Sequence, residues 1–270
     1  MPSTSVCYVY GVVPSAIDLA SAPAGVDDAR VALERCDGVA ALMSAVDGDV
    51  YAPAALEQST ADVEWMSPRA VAHDRVLTWA SDRGSGAVVP MPMFSLFTGA
   101  DAVQRMLRER SSQLGDTLRR VALGREYALR VYRVDAELMD AMTGFSPHLG
   151  ELASKAAAAT PGQRYLLERK LADAKREEMR GVTMEIADAI VGALAVHAVD
   201  TVKSPIPRVT DAAGRGPMVL NAAFLVAPDR LNAFQQTLTS LVEQHGARGF
   251  RFDFTGPWPP YHFAGAGVNT

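Results

Sequence analysis

The sequence has few of the residues that build disulfide frameworks or metal sites. It contains two cysteines, Cys7 and Cys36, and neither belongs to a C-x-x-C pair. Its five histidines are scattered, with no second histidine or cysteine at the spacing of metal ligands. A chain of 270 residues is also too large to need a disulfide framework. We therefore expect two reduced, buried thiols and no metal site.

The sequence also lacks the motifs of common catalytic and nucleotide-binding sites. It has no G-x-S-x-G elbow and no Walker-type phosphate loop. The G-R-G run at 214–216 precedes a predicted strand, which is the wrong order for a dinucleotide-binding loop. The adjacent acids at 27–28 and 177–178 point apart on a strand or helix, so neither pair suits acid–base work. We predict no catalytic residue, no cofactor and no enzymatic activity; an enzyme or small-molecule binder would need a pocket with converging polar groups.

Excess positive charge and long apolar runs are absent as well. The formal net charge of −5 argues against a nucleic-acid partner. No apolar stretch approaches the ~18 uninterrupted residues of a membrane span, and the N-terminal residues do not have the pattern of a signal peptide. Apolar residues make up 49% and charged residues 21%, as in ordinary globular proteins. We expect a cytoplasmic protein, and its length predicts two domains.

Residues 1–123 are predicted to form an α+β domain. The run 6–13 is apolar on both faces, which is typical of a central strand. Asp37-Gly38 lies between the apolar runs 30–36 and 39–46, which predicts a hairpin. Helices are predicted at 53–65, 70–81 (with Val71, Val76 and Leu77 on an apolar stripe) and 101–121.

Residues 124–270 read as strand, long helix, strand, helix, strand, which predicts a ferredoxin-like domain. The long helix, 161–203, is predicted to begin at a capping box, T-P-G-Q at 160–163, and to end before Ser204-Pro205. Its first half is densely charged, so we expect it to project or to pack as a helical hairpin. Its second half is nearly bare of charge and is expected to lie on a sheet.

A proline- and aromatic-rich arm, G-P-W-P-P-Y-H-F at 256–263, follows the last strand. Proline fixes φ and removes backbone donors, so we predict that the arm neither enters a sheet centre nor forms a helix. Its rings suit either a clasp on its own domain or contact with a partner, and both alternatives stay open. Met91 and Met93 beside Phe94 form a soft patch that either fills the core or serves as an adaptable surface.

Three segments together resemble the gas vesicle accessory family GvpL/GvpF. They are Y-V-Y-G-V-V at 8–13, R-Y-L-L-E-R-K at 164–170, and the pair V-L-N-A-A-F-L-V at 219–226 and T-G-P-W-P-P-Y-H-F at 255–263. The last segment is the most specific, and the similarity covers nearly the whole chain. One departure is the loop P-M-F-S at 92–95, where the family tends to carry a basic residue and a Phe-Gly pair.

The resemblance implies a non-enzymatic assembly protein with an N-terminal α+β domain and a C-terminal modified ferredoxin-like domain. Family members accompany the small, very hydrophobic shell protein GvpA, so the implied partners are GvpA and other accessory Gvp proteins. The implied role is assembly, nucleation or prevention of aggregation, in the cytoplasm and in association with the gas vesicle. The alternative is a minor structural component of the vesicle wall. The expected contact or clasp residues are Trp258, Tyr261 and Phe263 in the arm and Tyr165, Arg169 and Arg176 on the long helix.

Overall fold

The computed structural model describes residues 5–83, 85–207 and 214–265. Its contacts divide the chain into two compact units, one formed by residues up to Glu126 together with those from Pro257 onward, the other by Tyr127–Gly256. The sequence analysis placed the boundary at 123 and assigned the arm to the C-terminal domain. Residues from Pro257 onward instead group with the first unit. The last three residues of the arm, 261–263, make hydrogen bonds to Asp74, Arg120 and Glu126 of that unit.

The first unit contains a sheet of five strands in the order β2-β3-β1-β4, with β5 also pairing with β1. Strand β1 therefore lies inside the sheet, as its two apolar faces predict. It pairs with β3 from Ser5 opposite Asp47 to Pro14 opposite Val39. The strands are β1 (Ser5–Pro14), β2 (Ala32–Cys36), β3 (Val39–Asp47), β4 (Val89–Pro90) and β5 (Leu96–Phe97), and the helices are α1 (Pro53–Ser59), α2 (Val63–Ser81) and α3 (Ala100–Val121).

The predicted hairpin at Asp37-Gly38 is confirmed. Both residues have positive φ, 45° and 84°, as the favoured two-residue hairpin turn requires. Cys7 is buried, whereas Cys36, the last residue of edge strand β2, is half-exposed, so the expectation of two buried thiols is wrong for the second. Both cysteines are free.

Helix α2 begins seven residues earlier than its sequence pattern predicts. Asp62 caps it, and the Asp62 carboxylate accepts hydrogen bonds from the backbone N–H groups of Glu64 and Trp65. Pro68 lies inside the helix, where it removes one backbone donor. The sequence pattern predicts one helix that ends at 65 and another that begins at 70, on either side of this proline, whereas α2 runs through it. The cap and the buried side chains of the following turns outweigh the missing hydrogen bond.

The second unit has a four-stranded sheet in the order β7-β8-β6-β9 with α6 and α7 as crossover helices, which is the ferredoxin-like order. The predicted fold class is therefore confirmed. Its core includes Leu129, Ile190, Phe224 and Phe234. The elements are β6 (Arg125–Arg133), α4 (Asp135–Ala141), α5 (Pro147–Ala158), α6 (Pro161–Ala195), β7 (Asp200–Lys203), β8 (Met218–Val226), α7 (Leu231–Gly246) and β9 (Phe250–Trp258).

The long helix ends at Ala195, not at 203, and the prediction missed strand β7. The N–H of Val199 donates to the carbonyl of Leu225 at 2.7 Å, and β7 then pairs antiparallel with β8. The apolar pattern of residues 196–203 continues that of the helix. However, this stretch is rich in β-branched residues, which favour a strand where a neighbouring strand is available.

Helix α5 packs against α6 as a helical hairpin. Leu149, Leu152 and Ala156 are its buried residues. Thr160 is the N-cap residue of α6 as predicted, but its hydroxyl bonds to the Gln163 side chain at 3.1 Å and caps no backbone N–H. No helix of the described residues is long and apolar enough to cross a membrane.

Candidate functional site

The C-terminal arm enters a helical turn, α8 (Tyr261–Ala264), so the prediction that the arm cannot be helical is wrong for its last three residues, 261–263. All three prolines of the arm precede this turn, so its own N–H groups are free to donate. The N–H groups of Phe263 and Ala264 both donate to the carbonyl of Pro260, at 3.2 and 2.9 Å. The residues before the turn extend β9 at the edge of its sheet, as expected for a proline-rich segment.

The arm is anchored by a buried aromatic ring. Phe263 is 2% exposed and Ala264 1%, and α8 packs against α3 and β4. The Arg120 guanidinium donates to the Phe263 carbonyl at 2.5 Å. Phe263 therefore acts as a clasp inside the first unit and is not available at the surface.

The arm also satisfies a buried carboxylate. The Glu126 side chain is 2% exposed, and its two oxygens contact the backbone N–H of His262 at 3.0 Å and the His262 Nδ1 at 2.6 Å. Next to this pair, the Tyr261 hydroxyl donates to Asp74 at 3.1 Å. Burial, reinforced by the Asp74 charge, raises the pKa of Tyr261, which stays protonated and able to donate.

A cleft of about 430 Å³ lies beside the arm. Tyr261 of the arm forms part of its wall, and Met93, which is half-buried, lines it together with the buried Met91. The soft patch seen in the sequence thus divides between core and surface. The remaining lining residues are Ala70, His73, Asp74, Pro90, Pro92 and Gly265.

A neutral histidine holds the loop that carries these methionines. His73 is 3% exposed, and burial lowers its pKa to about 4. Its Nδ1 lies 2.8 Å from the Tyr8 hydroxyl, whose oxygen accepts the Phe94 N–H at 3.3 Å. The imidazole also bonds to the backbone of Met91. The ring therefore links both ends of the loop to β1 and α2, which is a structural role.

Phe94 has a φ of 62°, which is unusual for an aromatic residue. Its ring stacks on Trp65, with centroids 5.7 Å apart, and meets the edge of Tyr8 at 6.1 Å. Packing of the ring therefore holds the backbone in a conformation that favours glycine. This strained residue follows directly after Met93 at the cleft.

Helix α2 presents an exposed side that carries two exposed valines and leads to the cleft. Val63, Ser67, Ala70 and Asp74 occur at i, i+4, i+7 and i+11 and so share one side of the helix. Val63 is 73% exposed, and Val71 next to this line is 63% exposed. We call the surface formed by Val63, Ser67, Ala70, Val71 and Asp74 the α2 face.

The sequence pattern predicts that Val71 shares the apolar stripe of Val76 and Leu77, but Val71 is exposed, so this prediction is wrong. The error follows from the wrong helix start, because a helix read from 70 offers too few turns to fix its inward side. Read from the Asp62 cap, the pattern puts Ala72, His73, Val76, Leu77 and Ala80 inward, and these are buried. The cap was the signal that could have revealed the α2 face.

The predicted contact residues lie in two places. Tyr165 (66% exposed), Arg169 and Arg176 follow one side of α6 in the second unit, and Arg176 pairs with Asp173 at 2.6 Å. Trp258 and Tyr261 of the arm, in the first unit, are each 41% exposed. Within the described residues, no cluster of three or more His, Cys, Asp or Glu side chains could hold a metal ion.

Comparison with known proteins gives concordant matches. A family model described as gas vesicle synthesis protein GvpL/GvpF matches residues 6–265. Gas vesicle protein L1 of Halobacterium salinarum is 27% identical over 264 residues, covering 95% of this chain and 89% of L1. Gas vesicle protein L of a Streptomyces species is 27% identical over 267 residues, covering 96% of this chain and 92% of that protein.

Two solved structures share the fold. The crystal structure of GvpF from Anabaena sp. PCC7120 matches with a TM-score of 0.71 at 19% identity, covering 96% of this chain and 98% of GvpF. GvpF from Microcystis aeruginosa matches with a TM-score of 0.66, also at 19% identity and with the same coverage. Because the family model matches residues 6–265 and the fold is that of GvpF, this chain belongs to the GvpL/GvpF family of gas vesicle synthesis proteins.

Proposed function

We propose that this protein is an accessory factor of gas vesicle assembly that binds the hydrophobic shell protein GvpA through the α2 face and the adjoining cleft. The observation that supports this best is the exposure of Val63 and Val71 on a helix that leads to a methionine-lined cleft. Two exposed valines on one helix, together with the apolar side chains of the cleft beside it, offer a contact surface. Methionine adapts its shape to different apolar partners.

The physical task explains why such a surface suffices without catalysis. A subunit that polymerises through apolar surfaces aggregates when those surfaces stay in water. A partner that covers them reversibly keeps the subunit available until a growing wall takes it up. A contact of this kind needs roughly 600–1,000 Å² on each partner.

The arm builds one wall of this binding surface. Phe263 anchors it, Glu126 fixes His262, and Tyr261 is thereby held at the cleft with its hydroxyl on Asp74. The ring of Tyr261 stays 41% exposed and so can contact a bound segment. Trp258, equally exposed, offers a further aromatic contact.

Other accessory Gvp proteins would bind elsewhere. Tyr165, Arg169 and Arg176 form an exposed line on α6, which suits a second partner and leaves the α2 face to GvpA. Both interactions would take place in the cytoplasm, at or near the forming vesicle.

A pull-down with co-expressed GvpA tests the proposal. The double variant Val63→Asn/Val71→Asn removes the apolar side chains of the α2 face, and we expect GvpA recovery to fall about tenfold or more. The matched control Val196→Asn/Val242→Asn changes two exposed valines of the second unit, 73% and 40% exposed, and should recover GvpA normally. Equal recovery with both variants would rule out the α2 face as the contact.

A different measurement distinguishes the assembly factor from the alternative, a structural component of the vesicle wall. A built-in part of the wall stays with vesicles through a urea wash, at a fixed ratio to GvpA. A reversible assembly factor is removed by that wash.

A further inference from the structure

A second cleft, of about 390 Å³, opens in the second unit between α6 and the strands β7 and β8. Buried residues of α6 and β8 form its floor: Thr183, Ala187 and Leu220. Its rim carries two large exposed apolar side chains, Met184 (59% exposed) and Ile206 (46% exposed). We call this cleft the α6 groove. Its floor and rim together offer the apolar surface that a bound apolar side chain needs.

The backbone beside the groove is held by Asn221. Its side-chain amide donates to the carbonyl of Pro205 at 3.2 Å, and its backbone carbonyl accepts the N–H of Ser204 at 2.8 Å. These bonds fix the chain directly before Ile206. Asn221 belongs to the run V-L-N-A-A-F-L-V at 219–226, which the sequence analysis singled out. A surface that is held in place before binding loses less entropy when a partner docks on it.

Cations surround the apolar surface of the groove. The cationic side chains in the lining are Arg133, Arg180 and Lys203, and among the lining residues that the structure describes Asp188 is the only acid. Three cations against one acid make the groove positive, whereas the whole chain has a formal net charge of −5. The local charge therefore runs against that of the protein as a whole.

Two of these cations are available to a partner. Arg180 is exposed, and over residues 5–83, 85–207 and 214–265 no carboxylate lies within salt-bridge distance of it. Lys203 pairs with Asp188 at 2.6 Å, but the side chains are 53% and 68% exposed. Exposed pairs of this kind contribute little, so the ammonium group can turn to a carboxylate from outside.

The third cation is held in a fixed position. The side chain of Arg133 is 17% exposed, and its Nε lies 2.6 Å from an Asp135 carboxylate oxygen. Its Nη1 donates to the Thr183 hydroxyl at 3.3 Å. A guanidinium has five N–H donors, so these two contacts orient the group and leave donors for a carboxylate.

We infer that the α6 groove binds a segment of a partner protein in which apolar side chains are flanked by Asp or Glu. The apolar side chains cover the floor and contact Met184 and Ile206, while the carboxylates pair with Arg180 and Lys203. A simple anion would leave the two apolar side chains in water, and an uncharged apolar segment would leave Arg180 without a counter-charge. An acidic, apolar segment satisfies both requirements and is oriented by its charges.

Three short fluorescent peptides test the inference on the full chain. They are E-E-L-L-E-E, its basic counterpart K-K-L-L-K-K, and E-E-S-S-E-E, which keeps the charge but lacks the leucines. The net charge of the chain would favour the basic peptide, so a preference for the acidic one reports the groove. We expect E-E-L-L-E-E to bind at least about tenfold more tightly than either other peptide in fluorescence anisotropy at low salt. Equal affinity for E-E-L-L-E-E and either other peptide would overturn the inference.

A double variant locates the binding. Arg180→Ser/Met184→Ser removes one cation and one apolar side chain of the groove and should weaken E-E-L-L-E-E binding about tenfold. The matched control Arg230→Ser/Leu166→Ser removes an exposed arginine and an exposed leucine that do not line the groove, and it should bind normally. Equal affinity of the two variants would overturn the inference. If the groove variant does not fold, Arg180→Ser alone is compared with Arg230→Ser.

The inference goes beyond the proposed function, and the two fail in different ways. The peptide assay contains no shell protein, so equal binding of the three peptides removes the acidic partner and leaves the α2 face as proposed. Normal GvpA recovery by Val63→Asn/Val71→Asn removes the α2 face and leaves the α6 groove unaffected.

Discussion

Glu126 and His262 lie 136 positions apart in the chain, and both oxygens of the buried carboxylate contact the same residue. Glu126 belongs to the β6 strand and His262 to the last helical turn. A buried carboxylate without a partner costs several kcal/mol. The pair therefore ties the end of the chain to the first unit and makes the arm part of its structure.

The first prediction concerns this pair. His262→Ala keeps the backbone N–H on Glu126 but leaves the other oxygen of the buried carboxylate without the imidazole, and we expect it to destabilise the first unit by about 1–3 kcal/mol. Glu126→Gln alone removes the charge, and the double variant should cost less than the sum of the two single changes. Urea unfolding of the four proteins measures this coupling. Additive single changes would mean that the contact contributes no coupling energy.

The second prediction concerns the anchor of the arm. Phe263→Ala removes a ring that is 2% exposed, so we expect a loss of about 3–5 kcal/mol or release of the arm. Release would appear as rapid cleavage by chymotrypsin after Tyr261. The control Trp258→Ala changes a side chain that is 41% exposed and should have a much smaller effect. An arm as protease-resistant in Phe263→Ala as in the unaltered chain would contradict the clasp.

The third prediction is a pH dependence from His73. Its pKa in the folded protein is about 4, below the ordinary value of 6.5. Between these two pH values the unfolded chain therefore binds a proton at His73 more readily than the folded protein does. The stability that depends on neutral His73 is present in full above pH 6.5 and is lost as the pH falls toward 4. The contribution lost at pH 4 is about 3 kcal/mol.

Carboxylates also titrate in the lower part of that window, so a control is needed. His73→Gln removes the titrating group, although it is less stable at pH 7. The difference in unfolding free energy between this variant and the unaltered chain should narrow as the pH falls from 6.5 to 4. A difference that stays constant would show that His73 is not the source.

The fourth prediction is that glycine gives a more stable protein than alanine at position 94. Phe94 has a positive φ, so glycine adopts its backbone conformation more easily than alanine. Both truncations lose the ring packed on Trp65, but Phe94→Gly should be more stable than Phe94→Ala by about 1 kcal/mol. Chemical denaturation of the two variants measures the difference. A more stable alanine variant would indicate that the loop relaxes to a negative φ.

Local sequence predicted the elements whose signals are complete within a few residues. Strand β1 has apolar residues on both faces, and the Asp37-Gly38 pair favours the positive φ angles of a two-residue hairpin turn. Both elements could therefore be predicted from the sequence. The end of α6 was missed because it depends on pairing with Leu225, which no local pattern shows. The order of helices and strands along the chain predicted the ferredoxin-like arrangement of the second sheet, although the prediction did not include strand β7.

The candidate site was harder to predict, since exposure depends on what packs nearby. The sequence named Tyr261 and Phe263 but could not separate the buried ring from the exposed one. The α2 face was missed because Val71 reads as a core residue in an incomplete helix. The burial of Glu126 is set by a histidine near the other end of the chain, and adjacent residues carry no sign of it.

The return of the arm to the first unit has a consequence for synthesis. Residues up to Glu126 leave the ribosome well before Tyr261 and Phe263, which complete their packing. A nascent chain can therefore form most of its first sheet while the carboxylate of Glu126 still waits for His262. The cleft acquires its last wall only once Tyr261 has been made, so a nascent chain that stops short of this residue lacks part of the cleft.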